Sequence, residues 1–301
     1  MSPAVAKVAV EASLIEPHHE LNRLQSQLSD QFLSEIGWDA ETLVLSLPAD
    51  HPLLGRPVCR APGCEFTARG VSRICQGCRS RLARHGLGLD DIDKMPPRDR
   101  DQPGPCVVTG CERSWGSSQH RLCEAHRHQQ RVLGVSIEDF LAHPSVIALP
   151  DTGPCLVAAC TRRRKATRGS YCSAHEQRWH AKRRNAHDTD TDERVWWLTA
   201  TASKEPGKVS LRGLPPLVVA QVLYGVRERI KSGRKLDDFQ LTALCSELRR
   251  QRVASIADAD TTGLNVAYRG LMNSFAGYLR RGTLNPETER TKDVWDLAAF
   301  G

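Results

Sequence analysis

Ten of the eleven cysteines fall between positions 59 and 172, and with two histidines they form three sets of one pattern. The sets are Cys59, Cys64, Cys75, Cys78; then Cys106, Cys111, Cys123, His126; then Cys155, Cys160, Cys172, His175. Each reads C-x4-C, ten or eleven residues, then C-x2-C or C-x2-H, and the first cysteines stand 47 and 49 residues apart. That register marks a tandem array of one supersecondary unit. Two knuckles offering paired ligands across a short spacer suit the tetrahedral preference of structural zinc, with His replacing one Cys in two of the sets. Disulfides are the competing explanation, but a chain without a secretion signal and with C-x2-H pairs fits metal chemistry instead. Three structural Zn2+ ions are therefore expected, with no coordination position left open for water or substrate. A unit of roughly 20 residues buries no core, so the ion supplies its folding free energy, on the order of 10 kcal/mol.

The residues around the ligands extend the pattern. Gly63 and Gly110 precede the second cysteine, where a tight knuckle favours positive φ, whereas Ala159 departs from this in the third unit. The third and fourth ligands open the basic segments RSRLARHG, RHQQRVLG and EQRWHAKR, which places them on the first turn of a helix, where i and i+3 share a face. Gly86 and Gly134 stop the first two helices. A short second helix is expected after Gly37, Gly86 and Gly134, with Asp39 and Ser136 as N-caps. The repeat is knuckle, loop, helix, turn, helix.

Charge is unevenly placed along the chain. From Cys59 to Arg184 there are 22 Lys and Arg against 12 Asp and Glu, whereas the remainder has 20 against 23. A basic array beside a slightly acidic remainder points to a polyanion, and double-stranded DNA is the expected partner. Candidate phosphate contacts are Arg79, Arg81 and Arg84; Arg127 and Arg131; Arg178, Lys182, Arg183 and Arg184 on the three helices. The loop CTRRRKATRGSYC adds Arg162, Arg163, Arg164, Lys165 and Arg168, and the equivalent loops are less basic, so the third unit is expected to grip phosphate best. The alternative is a solvated face. Trp115, Tyr171 and Trp179 are the only Trp and Tyr residues between Cys59 and Arg184, too few for a base-stacking platform, and Trp179 is expected to pack under its own finger.

From Arg194 onward the periodicity becomes helical. Leu241, Leu244, Cys245 and Leu248, then Leu264, Tyr268, Leu271, Phe275 and Tyr278, recur at three and four, and LPPLVVAQVLYGVRERI starts a helix near Pro215 and Pro216. At least three helices in a bundle follow, with Cys245 a core thiol and Tyr224, Tyr268 and Tyr278 filling apolar faces. The fold class is mainly α with small zinc-knuckle units.

SLRGLPPLVVAQVLYGVRERIKSG, LCSELRRQRVASIAD and TERTKDVWDLAAFG together resemble the region upstream of the catalytic domain in large actinobacterial site-specific integrases of the tyrosine recombinase family. The resemblance covers roughly residues 35–301, with LRGLPP and KDVWDL as its specific anchors. It implies a SAM-like, DNA-clamping core-binding bundle and a part in DNA integration and recombination of a mobile element. It also implies that the catalytic domain would begin beyond KDVWDLAAFG, so no catalytic residue is expected in this chain. The H-x-x-R strings at His128 with Arg131 and at His175 with Arg178 lie on finger helices, and His175 is committed to metal. No phosphate-binding Gly loop or nucleophile elbow occurs either.

The expected organisation is a disordered or weakly helical leader at 1–34, the array at 35–190 and a linker at 191–213. A core-binding-like domain at 214–290 follows, with 291–301 opening a further linker. The chain is expected to be cytoplasmic and nucleoid-associated, without a membrane span or small-molecule substrate. A full-length recombinase is a second expected partner. If the fingers dock that recombinase instead of DNA, the chain is a protein interaction module.

Overall fold

The computed structural model describes residues 18–55, 57–64, 66–68, 72–96, 104–115, 120–185, 192–203 and 205–283. In chain order, helices α1 (18–26) and α2 (Asp30–Glu35) precede strands β1 (Trp38–Asp39) and β2 (Val44–Ser46). The array follows with α3 (Gln76–Arg84), a 3-10 turn (Leu89–Lys94), α4 (Glu124–Leu133), α5 (Ile137–Ala142), α6 (Ser173–Asn185) and α7 (Glu193–Thr199). Strand β3 (Lys208–Ser210) then leads into α8 (Pro216–Lys231), α9 (Asp238–Gln251) and α10 (Val266–Thr283). The molecule is mainly helical, with three Cys/His clusters and one small antiparallel sheet. None of the described helices is long and apolar enough to cross a membrane.

The three C-terminal helices form as their periodicity requires. Pro215 caps α8 and Pro216 occupies its first position, where a missing N–H costs nothing. Asp237 caps α9 by accepting from Phe239 N and Gln240 N, and Gln240 reaches back to the Asp237 N–H. Residues Val218 to Val226 are buried all round, because α8 is the central helix of this core. A Cβ at Gly225 would overlap the buried Phe275 ring, so the glycine sets how closely α8 and α10 approach. Leu241, Leu244, Cys245 and Leu248 are all in the core. Tyr224 and Tyr278 are buried as expected, but Tyr268 is 41% exposed. Its turn of α10 borders an open cleft shared with Ala243, Glu247 and Arg250 of α9, which leaves the ring in solvent.

The boundaries expected from sequence shift in three places. The described part of the leader is helical and packed: Leu24 and Leu28 enter the C-terminal core. Arg23 donates to the Gly282 carbonyl, Arg227 of α8 donates to the Gln27 carbonyl, and buried Gln221 donates to Glu20 at 3.0 Å. Residues 35–54 belong to the same core rather than to the array, through Ile36, Leu45, Leu47 and Leu54. The helix expected after Gly37 is instead a hairpin, with Trp38 opposite Leu45 and Asp39 opposite Val44. The Asp39 carboxylate accepts from Glu41 N, Thr42 N and the Thr42 hydroxyl, and these local bonds favour a turn over a helix. Gly37 enters the hairpin at φ +64°, where a Cβ would strike the Ser46 backbone. Finally, 191–213 is no simple linker, since β3 pairs Val209 with Leu45 and α7 packs on the third cluster. The segment KDVWDLAAFG lies outside the described residues.

Candidate metal centres

The backbone repeats itself at each set of ligands. An isolated antiparallel bridge joins the residue before the first cysteine to the third residue after the second: Val58 with Thr67, Pro105 with Ser114, Pro154 with Arg163. The amide of the first cysteine donates to Phe66, Arg113 and Arg162 in turn, and that of the second donates to Ala61, Val108 and Val157. Gly63 and Gly110 adopt φ +64° and +75°, and Ala159 is absent from the positive-φ residues, so the third knuckle turns differently. Cys75 and Cys123 are N-caps of α3 and α4, Cys172 immediately precedes α6, and the fourth ligands Cys78, His126 and His175 lie in the first turns. The third ligand therefore stands just outside each helix, not in it. Gly86 and Gly134 end the first two helices at φ +65°, and Ser136 caps α5 by accepting from Asp139 N.

All twelve residues are buried, and in each tetrad the four ligand atoms lie within 4.8 Å of one another. Tetrahedral bonds of about 2.3 Å to sulfur and about 2.0 Å to nitrogen require edges of about 3.8 Å between sulfurs and about 3.5 Å between sulfur and nitrogen. Cys64 and Cys75 Sγ are 3.8 Å apart, and Cys160 and Cys172 Sγ 3.9 Å. His126 Nδ1 is 3.3 and 3.4 Å from Cys106 and Cys123, and His175 Nδ1 is 3.4 and 3.3 Å from Cys155 and Cys172. Carbonyls at the far side of both rings fix the tautomer. His126 Nε2 donates to Ile147 O and His175 Nε2 to Thr201 O, each at 3.0 Å, which leaves Nδ1 unprotonated and facing the sulfurs. Burial pushes the Cys78 and Cys123 thiols above their ordinary value. The three tetrads are consistent with three structural zinc sites.

Each tetrad borrows apolar cover from the connector behind it, a contribution the ligand spacing does not announce. Ile92 and Met95 cover the first, Phe140 of α5 the second, and Trp196 of α7 the third. Phe140 meets His126 edge-on at 6.1 Å, and Trp196 meets His175 edge-on at 5.8 Å. Helix α7 is thus the second helix of the third unit, signalled in sequence by an apolar residue 33 to 41 positions beyond the first cysteine. Trp179 packs on Trp196 at 5.0 Å and near Tyr171 at 6.2 Å, so it lies under its finger with help from α7. Tyr171 donates to Glu193 and accepts from Trp197 Nε1 at 2.7 Å, closing the same cluster.

The basic residues divide by what tertiary structure has done with them. In the third loop, Arg163 pairs with Asp151 and Lys165 with Glu176, each at 2.8 Å. Arg164 folds back over Gly153 and toward the Thr167 and Gly169 carbonyls. Arg162 and Arg168 remain exposed and form no ion pair among the described residues. On the helices, Arg127 pairs with Glu124 at 2.6 Å, Arg79 donates to Ser72, Arg81 to Pro96 O, and Arg178 to Thr201 O. Arg84, Arg131, Lys182, Arg183 and Arg184 are exposed, and Arg183 and Arg184 line with His180 an open hollow of about 420 Å³. Much of the loop's charge is therefore internally engaged, and the exposed cations concentrate toward the end of α6. His128 and Arg131 both lie on α4. Cys245 is a fully buried core thiol, pushed by burial up to about 11.

Comparison with protein-family models, with curated proteins and with solved structures finds no match for this chain. Three Cys/His metal-binding clusters in a partly helical chain define its class.

Proposed function

We propose that this chain is a zinc-stabilised, double-stranded DNA-binding protein, the non-catalytic portion of a tyrosine-recombinase-type integrase acting in recombination of a mobile element. The observation that carries the reading is α6, which leaves the third tetrad and ends in three exposed cations, Lys182, Arg183 and Arg184, beside a hollow wide enough for a phosphate. The metal fixes the start of this helix, so its basic end is presented from a rigid base and loses little freedom on docking. Arg84, Arg131, Arg162 and Arg168 are further uncommitted cations of the array. The recombinase assignment rests on the LRGLPP and KDVWDL anchors. A cytoplasmic, nucleoid-associated location goes with it.

Duplex affinity measured against salt tests the reading. The logarithm of the binding constant should fall linearly with log salt, and replacing Lys182, Arg183 and Arg184 with Gln should flatten the slope by about 2 to 3. An affinity indifferent to ionic strength would sink it. A second reading, docking of a separately encoded recombinase, is favoured by Val132 and Ile147 on the second unit, which are 72% and 66% exposed. In that case the same triple substitution leaves binding to the partner intact.

A further inference from the structure

The third unit breaks the pattern where its knuckle meets the helical core. Thr109 and Gly110 of the second knuckle are exposed, while their counterparts Ala158 and Ala159 are buried at 6% and 3%. The segment after β3 covers them. Ser210 Oγ donates to Ala158 O at 2.6 Å, and the Arg212 guanidinium donates to Cys155 O at 2.8 Å, Val157 O at 3.1 Å and Cys160 O. Gly213 follows at φ +76°, where a Cβ would come within 2.9 Å of Leu198 and 3.1 Å of Ala158, so only bare backbone fits between knuckle and core.

The chain of bonds continues inward. Arg249 of α9, 3% exposed, donates from Nε to the Arg212 carbonyl at 2.7 Å and from Nη2 to the Ser210 carbonyl. Its helix neighbours Leu244, Cys245 and Leu248 lie in the main core. Charge supports the same link: three thiolates and one His around Zn2+ leave a net charge of −1, and the half-buried Arg212 cation offsets it where water is largely excluded.

We propose that the third metal site is a latch joining the array to the helical core. The ion holds the Cys155, Val157 and Cys160 carbonyls in place, these hold Arg212, and the Arg212 carbonyl holds Arg249 and the end of α9. Occupancy of one metal site is thereby felt in a core that contains no metal ligand. The inference rests on zinc occupancy of the tetrads, not on DNA binding. It explains Ala158 and Ala159: the knuckle that docks needs small residues, and the knuckles that face solvent use glycine.

Hydrogen exchange of the full zinc-loaded chain, read with its metal content, tests this. His175→Ala should lower the content from three ions to two and speed exchange at 245–251 by about tenfold or more. His126→Ala should also leave two ions but spare 245–251. Arg212→Gln should keep three ions and still speed exchange there, and adding His175→Ala to it should change that region no further. Unchanged exchange at 245–251 in His175→Ala or Arg212→Gln, or an equal effect of His126→Ala, would overturn the latch. A wild-type chain with fewer than three ions would refute the zinc reading and remove the latch with it, so metal content and exchange separate the two failures.

Discussion

Replacing Phe140 with Ala should weaken one metal site and leave the other two alone. The ring is fully buried, lies edge-on to His126, and closes the second unit with Val108 and Leu122. Phe→Ala in a core costs about 3–5 kcal/mol. Folding of so small a unit is coupled to binding of its metal, so the loss is expressed as metal affinity rather than as a fall in folded population. At 1.4 kcal/mol per factor of ten, the zinc dissociation constant of that site rises about 10² to 10³·⁵-fold. Zinc binding of about 10–16 kcal/mol for such units leaves a positive remainder, so the variant still loads in excess metal. Release to a chromogenic chelator is the assay. One ion of the three should leave at a chelator concentration lower by about two orders of magnitude or more, with the other two unmoved. If all three leave as in the wild type, α5 has no part in the site, and the description of the repeat as ending in a covering helix fails.

Two further outcomes follow from the helical core. Gly225→Ala drives a methyl group into the Phe275 ring, which has no room to withdraw, so the denaturant midpoint should fall by the equivalent of about 1–3 kcal/mol while metal content stays constant; an unchanged midpoint would show that α8 and α10 are not in close contact there. Cys245, fully buried with its thiol pushed up to about 11, should resist alkylation at neutral pH until the core unfolds. Labelling in the native, metal-loaded protein would place it elsewhere.

The elements legible in the sequence are those set by near neighbours. Ser136 caps α5, Gly134 ends α4, and Pro216 opens α8 because each acts within about four residues, a distance the sequence displays directly. The hairpin at Trp38–Ser46 is not legible, since Asp39 with Glu41 two residues on signals a helix start and a turn equally well. The strand pairing that decides between them comes from Val209, far along the chain. Tyr268 shows the limit of periodicity: it falls on the stripe of α10 yet faces an open cleft, because spacing gives a face and not what stands opposite.

The sequence by itself determined the twelve ligands, their grouping into three tetrads and the helices that open at them, because metal coordination imposes fixed spacing on residues close in the chain. Tertiary structure alone decided which basic residues remain available, since Arg163 and Lys165 are held by Asp151 and Glu176, while Lys182 and Arg183 are left exposed. It also decided that residues 18–54 belong with the C-terminal helices and that Arg212 grips the third knuckle. Those contacts join groups as far apart in sequence as Arg23 and Gly282, and such pairings form only where folding brings a buried donor to an acceptor that would otherwise go unmet.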